Sequence, residues 1–401
     1  AGRTTMRRKE EVFSQISTPA YVFDLDLARK TAEELKMALS GAGKGRLRLC
    51  YAMKANPFLA GKLLNCTDLL EVCSPGEERI CELQKIPPER LVISGVSKKE
   101  EDIRRVLSYG MPHSFTVESM AQLELLARLA KERKENFFLL LRLTSGNQFG
   151  LDEADLEEAV KKTAEDPWIT ILGIQYYSGT QKKHPAQIQK ELERLDGLAR
   201  HLIEAYGIEL KELEYGPGLP VCYFQSEKPM EEILESLKEG LKGLSFEGTV
   251  TLEMGRCMAA ACGSYVTEVV DCKKNLDVNY CITDGGIHQV NYYGQTMAMK
   301  LPYYRQIPER LEEPEEKWNV CGSLCTVSDV LVKQLPLQGL KVGDRLVFER
   351  TGAYSVTEGI ALFLSRDLPE VYFWSGKKGL EKVRNRIESF RMNTWQADEN
   401  H

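Results

Sequence analysis

The chain has 401 residues, 43% hydrophobic and 28% charged, enough for two or three soluble domains with a large core. Its 53 basic and 59 acidic residues leave a net charge of −6, so it has no basic footprint and no nucleic-acid partner is expected. No apolar run approaches the roughly 18 residues needed to span a bilayer, so no membrane partner is expected either.

The polar, basic stretch 1–11 lacks the apolar centre of a secretory leader. Eleven cysteines stand singly along the chain, a pattern that suits reduced thiols in a cytoplasmic protein. Only Cys321 and Cys325 are closely spaced; with five histidines and no second close cysteine pair, they do not make a zinc pattern. The short basic clusters Arg104-Arg105 and Lys182-Lys183-His184 read as solvated faces.

In chain order, 18–24 reads as a short strand and 25–39 as an amphipathic helix. The rest of the chain is organised around the next stretch, Arg48-Leu49-Cys50-Tyr51-Ala52-Met53-Lys54-Ala55-Asn56-Pro57-Phe58. A strand-like run ends in Lys54, and an Asn-Pro turn comes at once after it. A charge closing a buried strand has to be paired or neutralised. Burial that depresses its pKa makes the neutral amine a nucleophile, and an imine with an aldehyde cofactor is one use of it. The other reading is a strand-end lysine that reaches solvent or pairs with a carboxylate.

Strand-like runs recur at 47–53, 69–73, 91–94, 114–117, 137–143, 169–177, 213–215 and 250–253. Helical periods fill most gaps, as at 120–134, 153–164 and 186–206. Eight such units predict a parallel sheet, closed most economically as a (β/α)8 TIM barrel. An open doubly wound sheet is the alternative, but no Gly-x-Gly-x-x-Gly turn follows the first strand. Beyond Gly255 the runs at 265–271, 280–284, 327–334, 345–348 and 371–374 predict a mostly β domain. Within it, 308–317 reads as an acidic, exposed loop and 381–390 as a closing helix. The expected division is an N-terminal segment 1–26 packing with the β domain, a barrel over 27–262, and a C-terminal β domain over 263–401.

In a barrel, chemistry sits at the C-terminal ends of the strands, and phosphate sites favour the loops after the seventh and eighth. Lys54 ends the first strand, Glu71 and Glu77 flank the end of the second, and Arg142 interrupts the fifth. The sixth runs into Tyr177-Ser178-Gly179-Thr180. The seventh ends in Gly216-Pro217-Gly218 and the eighth in Glu253-Met254-Gly255-Arg256. These glycine turns are either a phosphate cradle or simply tight turns. Glu253 suits a partner for a protonated heterocyclic nitrogen, or equally a partner for Arg142 or Arg256.

Together these residues resemble the fold-type III, pyridoxal phosphate-dependent amino-acid decarboxylases, the group holding the diaminopimelate, ornithine and arginine enzymes. The resemblance covers nearly the whole chain. It is carried by Tyr51-Ala52-Met53-Lys54-Ala55-Asn56, Glu71 with Gly76-Glu77, Phe149-Gly150, Glu253-Met254-Gly255-Arg256, Cys321-Gly322-Ser323-Leu324-Cys325-Thr326-Val327-Ser328-Asp329 and Gly352-Ala353-Tyr354. It implies pyridoxal 5'-phosphate as cofactor, held by Lys54 as an imine, with Glu253 at the pyridine nitrogen. Gly216, Gly218, Gly255, Arg256, Thr180 and Tyr354 would hold the phosphate, and Glu71, Arg142 and Tyr177 would complete the cofactor site. The resemblance also implies a homodimer with shared active sites, in which Cys325 of the other subunit protonates the carbanion left when CO2 departs. Thr326, Asp329 and Tyr293 fall at substrate-binding positions.

The departures point to the substrate. Tyr177 stands where the family usually has a histidine stacked on the cofactor ring. Thr326 follows Cys325 where diaminopimelate enzymes carry a glutamate and ornithine enzymes an aspartate. The stretch 287–292 lacks the arginine that holds diaminopimelate's distal carboxylate. Both specificity charges are missing, and the pattern is more like decarboxylases of natural-product and siderophore pathways, acting on modified or carrier-linked amino acids. The alternatives are diaminopimelate decarboxylation, an amino-acid racemase, and a catalytically silent pyridoxal phosphate-binding regulator. A phosphosugar-binding barrel would explain the glycine turns but neither Lys54 nor the second domain.

Overall fold

The computed structural model describes residues 2–292 and 297–396. In chain order the elements begin with α1 (Gly2–Gln15), β1 (Ala20–Asp24), α2 (Leu25–Leu39), β2 (Leu47–Ala52) and β3 (Leu69–Val72). Then come α3 (Pro75–Leu83), β4 (Leu91–Ile93), α4 (Glu100–Tyr109), β5 (Ser114–Val117), α5 (Met120–Arg133), β6 (Phe137–Leu143) and α6 (Glu153–Thr163). Next are β7 (Ile169–Tyr177), α7 (Pro185–Tyr206), β8 (Glu212–Gly216), α8 (Glu231–Lys242), β9 (Thr249–Met254) and the short α9 (Arg256–Ala259). The remainder is β: β10 (Gly263–Asn275), β11 (Val278–Thr283), β12 (Tyr304–Ile307), β13 (Glu315–Cys321), β14 (Val330–Gln338), β15 (Arg345–Glu349), β16 (Glu370–Ser375) and β17 (Gly379–Arg384).

The chain divides into two compact units, one of residues 31–221 and 230–258, the other of 1–30, 222–229 and 259–401. In the first, β2 to β9 form a closed barrel, with β9 pairing back onto β2 in parallel. These strands match the eight runs expected from sequence to within one residue at their ends. Their short apolar segments are covered on both faces, as in β3, β4 and β5, where every residue is buried. Cys50, Leu69, Val92, Leu140 and Leu172 form a core cluster drawn from five of the strands. Three helices that follow strands start on side-chain caps: Ser74 accepts from the Glu77 amide, Ser119 from that of Gln122 and Asp152 from that of Asp155. These caps hold the loops at the C-terminal rim of the barrel.

In the second unit, a sheet runs in the order β14-β13-β11-β10-β1-β16-β17, with β15 pairing β10 and β12. β1 lies inside that sheet, antiparallel to β10 and parallel to β16. Its core gathers Phe13, Ile16, Ala20, Val22, Val266, Val347, Tyr372 and Trp374. Sequence reading did not anticipate α1. Its apolar residue Phe13 and the adjoining Ile16 anchor it in this core, and Arg345 donates to the Phe13 and Ile16 carbonyls at 2.7 and 2.6 Å, satisfying its C-terminal end.

Two expectations in this unit are corrected. The stretch 381–390 is not a helix: β17 pairs antiparallel with β16, after a turn closed by Gly379 at φ 68°. The charges that gave it a helical period, Glu381, Lys382 and Arg384, instead line a strand at the sheet edge, where charge blocks further pairing. The acidic stretch 308–317 is not all loop. Glu315, Glu316 and Lys317 open β13 with exposed side chains while their backbones pair with Gln338, Leu337 and Pro336.

Candidate active site

Lys54 sits on a 3₁₀ turn, Met53–Ala55, directly after β2. The turn is fixed by Asn56, whose side chain accepts from the Phe58 amide at 3.1 Å. The buried Tyr51 hydroxyl donates to the Asn56 carbonyl at 2.7 Å. The Lys54 amine is thereby aimed over the ring of Tyr177, 5.3 Å from its centre, within cation–π reach. Lys54, Glu71, Arg142, Tyr177, Gly179 and Glu253 line one cleft of about 300 Å³.

Beside it lie the glycine turns. A Cβ on Gly216 would stand 2.5 Å from the Tyr177 ring and 2.9 Å from Glu253 Oε2. Gly218 adopts φ 61°, and a Cβ there would land on the Gly179 carbonyl. The Lys182 amide donates to the Gly218 carbonyl at 2.9 Å, binding the loop after β7 to the loop after β8. On that first loop Thr180 accepts from Arg256 Nε at 3.1 Å. Gly255 packs a would-be Cβ 3.1 Å from that of Ala55, next to Lys54. The residues expected at the phosphate, Thr180, Gly216, Gly218, Gly255 and Arg256, therefore gather around the Tyr177 and Glu253 wall.

Other expectations shift. Arg142 does not serve as partner to Glu253; it pairs with Glu118 at 3.3 Å and stacks on Phe149, 4.9 Å from the ring centre. The Glu77 carboxylate is taken up by the Cys73 amide at 2.8 Å. Lys182, read as solvated, is buried; it donates to the Gly179 carbonyl at 2.9 Å and pairs with Glu191 at 3.5 Å. Glu71 is buried and accepts from Gln175 at 2.7 Å, from Ser94 and from the Cys50 thiol at 3.3 Å. Burial pushes its carboxyl well above the ordinary range, and the charge of Glu253 adds to this. Burial likewise raises the Tyr177 hydroxyl, with Lys54 opposing.

Glu118, Gln175 and Glu214 escaped sequence reading. Glu118 lies one residue past β5, where it also accepts from the Gly150 amide at 3.1 Å. The Phe149-Gly150 motif was the available signal: it places that amide and ring against the Glu118–Arg142 pair.

In the β unit, Cys325 is exposed. The Thr326 hydroxyl stands 2.9 Å from that of Ser328. Asp329 is only 3% exposed, and its carboxylate accepts from the amides of Ile287 and Leu324, each at 2.8 Å. It ties the loop together rather than facing a ligand. Tyr354 holds φ 67°, an uncommon backbone state for a bulky residue and one that clusters at functional sites. Tyr293 lies outside the described residues.

A parallel barrel with a strand-end lysine over an aromatic ring, a carboxylate behind that ring and glycine loops after its last two strands defines a cofactor-binding barrel enzyme. The family model of the pyridoxal-dependent decarboxylases, pyridoxal binding domain, matches residues 28–260, and the chain belongs to that family. It is 27% identical to the diaminopimelate decarboxylase of Zymomonas mobilis, over 94% of this chain and 93% of that one. It is 25% identical to the L-glutamyl-[BtrI acyl-carrier protein] decarboxylase of Niallia circulans, over 88% of each chain. Among solved structures it resembles diaminopimelate decarboxylase from Helicobacter pylori, complexed with L-lysine, at TM-score 0.81 and 23% identity over 96% of this chain and 99% of that one. The lysine/ornithine decarboxylase of Vibrio vulnificus, complexed with putrescine, has a TM-score of 0.72 and 24% identity over 85% and 90%. At these identities the structural likeness establishes the fold. The chain is thus a pyridoxal phosphate-dependent amino-acid decarboxylase.

The residues present fit that cofactor. An amine, an aromatic platform and a carboxylate converge on one cleft, beside backbone that only glycine can supply. Gly218→Ala adds a Cβ at positive φ and onto a carbonyl. Strain of roughly 1–3 kcal/mol predicts an about 5- to 150-fold weaker hold on pyridoxal phosphate, read by titrating the cofactor into stripped protein. Unchanged affinity would show that this turn is not part of the cradle.

Proposed function

We propose that the enzyme decarboxylates a modified or carrier-linked amino acid, rather than diaminopimelate or ornithine, as a homodimer with shared active sites. The observation that carries this is the neutrality of the specificity positions. Thr326 is uncharged. Between Ile287 and Tyr292, the candidate for a positive charge is His288. It is buried, and burial pushes its pKa down to about 4, with Arg366 acting in the same direction, so it is neutral at pH 7. Gln289 accepts from Tyr265, and Asn291 donates to Glu358 at 2.8 Å. Nothing in this segment offers a cation to a distal carboxylate. Similarity to the Niallia circulans enzyme, whose name specifies a carrier-bound glutamyl group, supports the same reading.

Pyridoxal phosphate, when bound, supplies an electron sink for the pair that the departing carboxylate leaves behind. Lys54 would hold its aldehyde carbon through Nζ and yield that place to the substrate's α-amine. Glu253 would stand at the ring nitrogen, and Tyr177 would lie against the ring. Thr180, Gly216, Gly218, Gly255, Arg256 and Tyr354 would hold the phosphate, while Glu71 and Arg142 close the wall. Cys325 of the partner subunit would give its proton to the α-carbon, so one amino acid and one proton leave as an amine and CO2.

The test is a substrate panel read by mass spectrometry, holding diaminopimelate, ornithine, lysine, arginine, and N-acylated and carrier-linked amino acids. CO2 loss is expected from a derivative. Diaminopimelate and ornithine should run one to two orders of magnitude lower in kcat/KM, since a lost charge-assisted contact is worth roughly 1.5–3 kcal/mol. Diaminopimelate turnover near or above about 10⁴ M⁻¹s⁻¹ would overturn this substrate reading. It would favour the second one, diaminopimelate decarboxylation, which the similarity to the Zymomonas mobilis and Helicobacter pylori enzymes supports.

A further inference from the structure

Beneath the Lys54–Tyr177 wall the barrel interior holds a polar layer rather than the branched apolar residues usual there. Cys50 comes from β2, Glu71 from β3, Gln175 from β7, Glu214 from β8 and Glu253 from β9. Glu71 is 3% exposed and Glu214 not at all. Ligand atoms of Cys50, Glu71 and Glu214 all lie within 4.8 Å of one another. Gln175 Nε2 donates to both carboxyls, at 2.7 Å to Glu71 Oε1 and at closer range to Glu214 Oε2. Ser94 and Cys50 direct their hydrogens at Glu71. Glu214 Oε1 is buried and has no hydrogen-bond donor among the described residues.

Two carboxylates this close and this buried cannot both ionise without a compensating charge. The groups acting most strongly on Glu214 are Glu71, Glu253 and Gln175, and none of these is a cation. Those acting most strongly on Glu71 are Glu253, Ser94, Glu214 and Cys50. Lys98 faces Glu71 at longer range, but its amine is engaged by the Gly95 carbonyl at 2.6 Å and by Thr116 at 3.1 Å. Lys54, at the mouth above this layer, acts on Cys73, Glu77 and Tyr177 among other groups. A metal ion would also neutralise the pair, but the amide, hydroxyl and thiol hydrogens already point at these carboxyl oxygens.

We propose that Glu71 and Glu214, both held by hydrogen bonds from the Gln175 amide, keep one proton between the two of them, with Glu214 as the neutral acid, and that this proton holds the acidic barrel floor together under Glu253. Glu71 and Glu214 are then positioning residues: they keep the layer behind Glu253 rigid and limit its negative charge. Consistent with this, burial raises both carboxyls, while among the described residues Glu71 accepts from three donors and Glu214 from one, which leaves the charge on Glu71 and the proton on Glu214. The assignment does not depend on which amino acid the enzyme takes.

A shared proton fixes the sign of the pH dependence. The folded protein keeps a proton at pH values where the unfolded chain has released it. The stability tied to the pair is therefore greatest in the ordinary glutamate range, and falls as pH rises toward the elevated values. The test compares holoenzyme, Glu214→Gln and Glu71→Gln by infrared spectroscopy and thermal unfolding at about pH 5 and about pH 8. Wild type should show the carbonyl stretch of a buried carboxylic acid at the higher pH, and Glu214→Gln should lack it. Glu214→Gln should gain at least about 2 °C in Tm over wild type at the higher pH, with no such gain at the lower. If Glu214→Gln does not fold, Glu71→Gln must keep the acid band at a shifted frequency, because Glu214 remains buried and loses its charged neighbour, and must show the same pH-selective gain. An absent acid band in wild type, an equal Tm change at both pH values, or a wild-type Tm lowered by a chelator would each overturn the shared proton.

Discussion

Replacing Lys54 with alanine is expected to lower kcat/KM by at least about 10⁴-fold, the upper end of what one general acid–base group contributes, because covalent attachment is lost with it. The visible absorbance of tightly held pyridoxal phosphate should disappear in the same variant. Folding should survive. Lys54 is half-buried on a short turn whose shape is set by Asn56 and the Tyr51 hydroxyl, not by the amine. A circular dichroism melt within a few degrees of wild type would confirm that the loss is chemical. Retained activity with a retained cofactor spectrum would place the covalent link elsewhere and remove the basis of the barrel-mouth site.

Lys54 was legible in the sequence for a physical reason: a charged residue at the close of an apolar run needs a purpose. The eight barrel strands were legible because parallel strands are covered on both faces and read as uninterrupted apolar segments. Glu214 had no such signal. In Glu212-Leu213-Glu214-Tyr215-Gly216 it alternates with apolar residues and reads as the outer face of an ordinary strand. Only closure of the barrel turns it inward, to zero exposure. Asp329 failed in the opposite sense. Its place in the cysteine motif suggested a substrate contact, yet backbone amides from two separate segments occupy its carboxylate. The charges at 381–384 misled because a charged edge strand and a charged helix face share a composition and differ only in partner. Sequence therefore revealed residues that conflict with their surroundings, and concealed those whose surroundings are assembled by long-range closure.

The pinned loop around Asp329 bears on the largest effect expected outside the barrel. Asp329 fixes the Leu324 amide, so the next residue, Cys325, is displayed on a constrained turn yet exposed to solvent. A rigid turn presenting a thiol outward suits delivery into another chain. Cys325→Ala should cut kcat by about 10²–10⁴-fold, the range for a lost general acid, while KM and cofactor affinity stay near wild type. Mixing then separates a shared site from a private one. Lys54→Ala and Cys325→Ala chains, exchanged at equal amounts, form heterodimers in about half of the population. Each heterodimer pairs one intact lysine with one intact thiol, so the mixture should recover about a quarter of wild-type activity from two nearly inactive parents. If Cys325 serves the lysine of its own chain, every site keeps a defect and the mixture shows no more than the sum of its parents. That outcome would overturn the shared-site dimer while leaving the decarboxylase chemistry of the barrel in place.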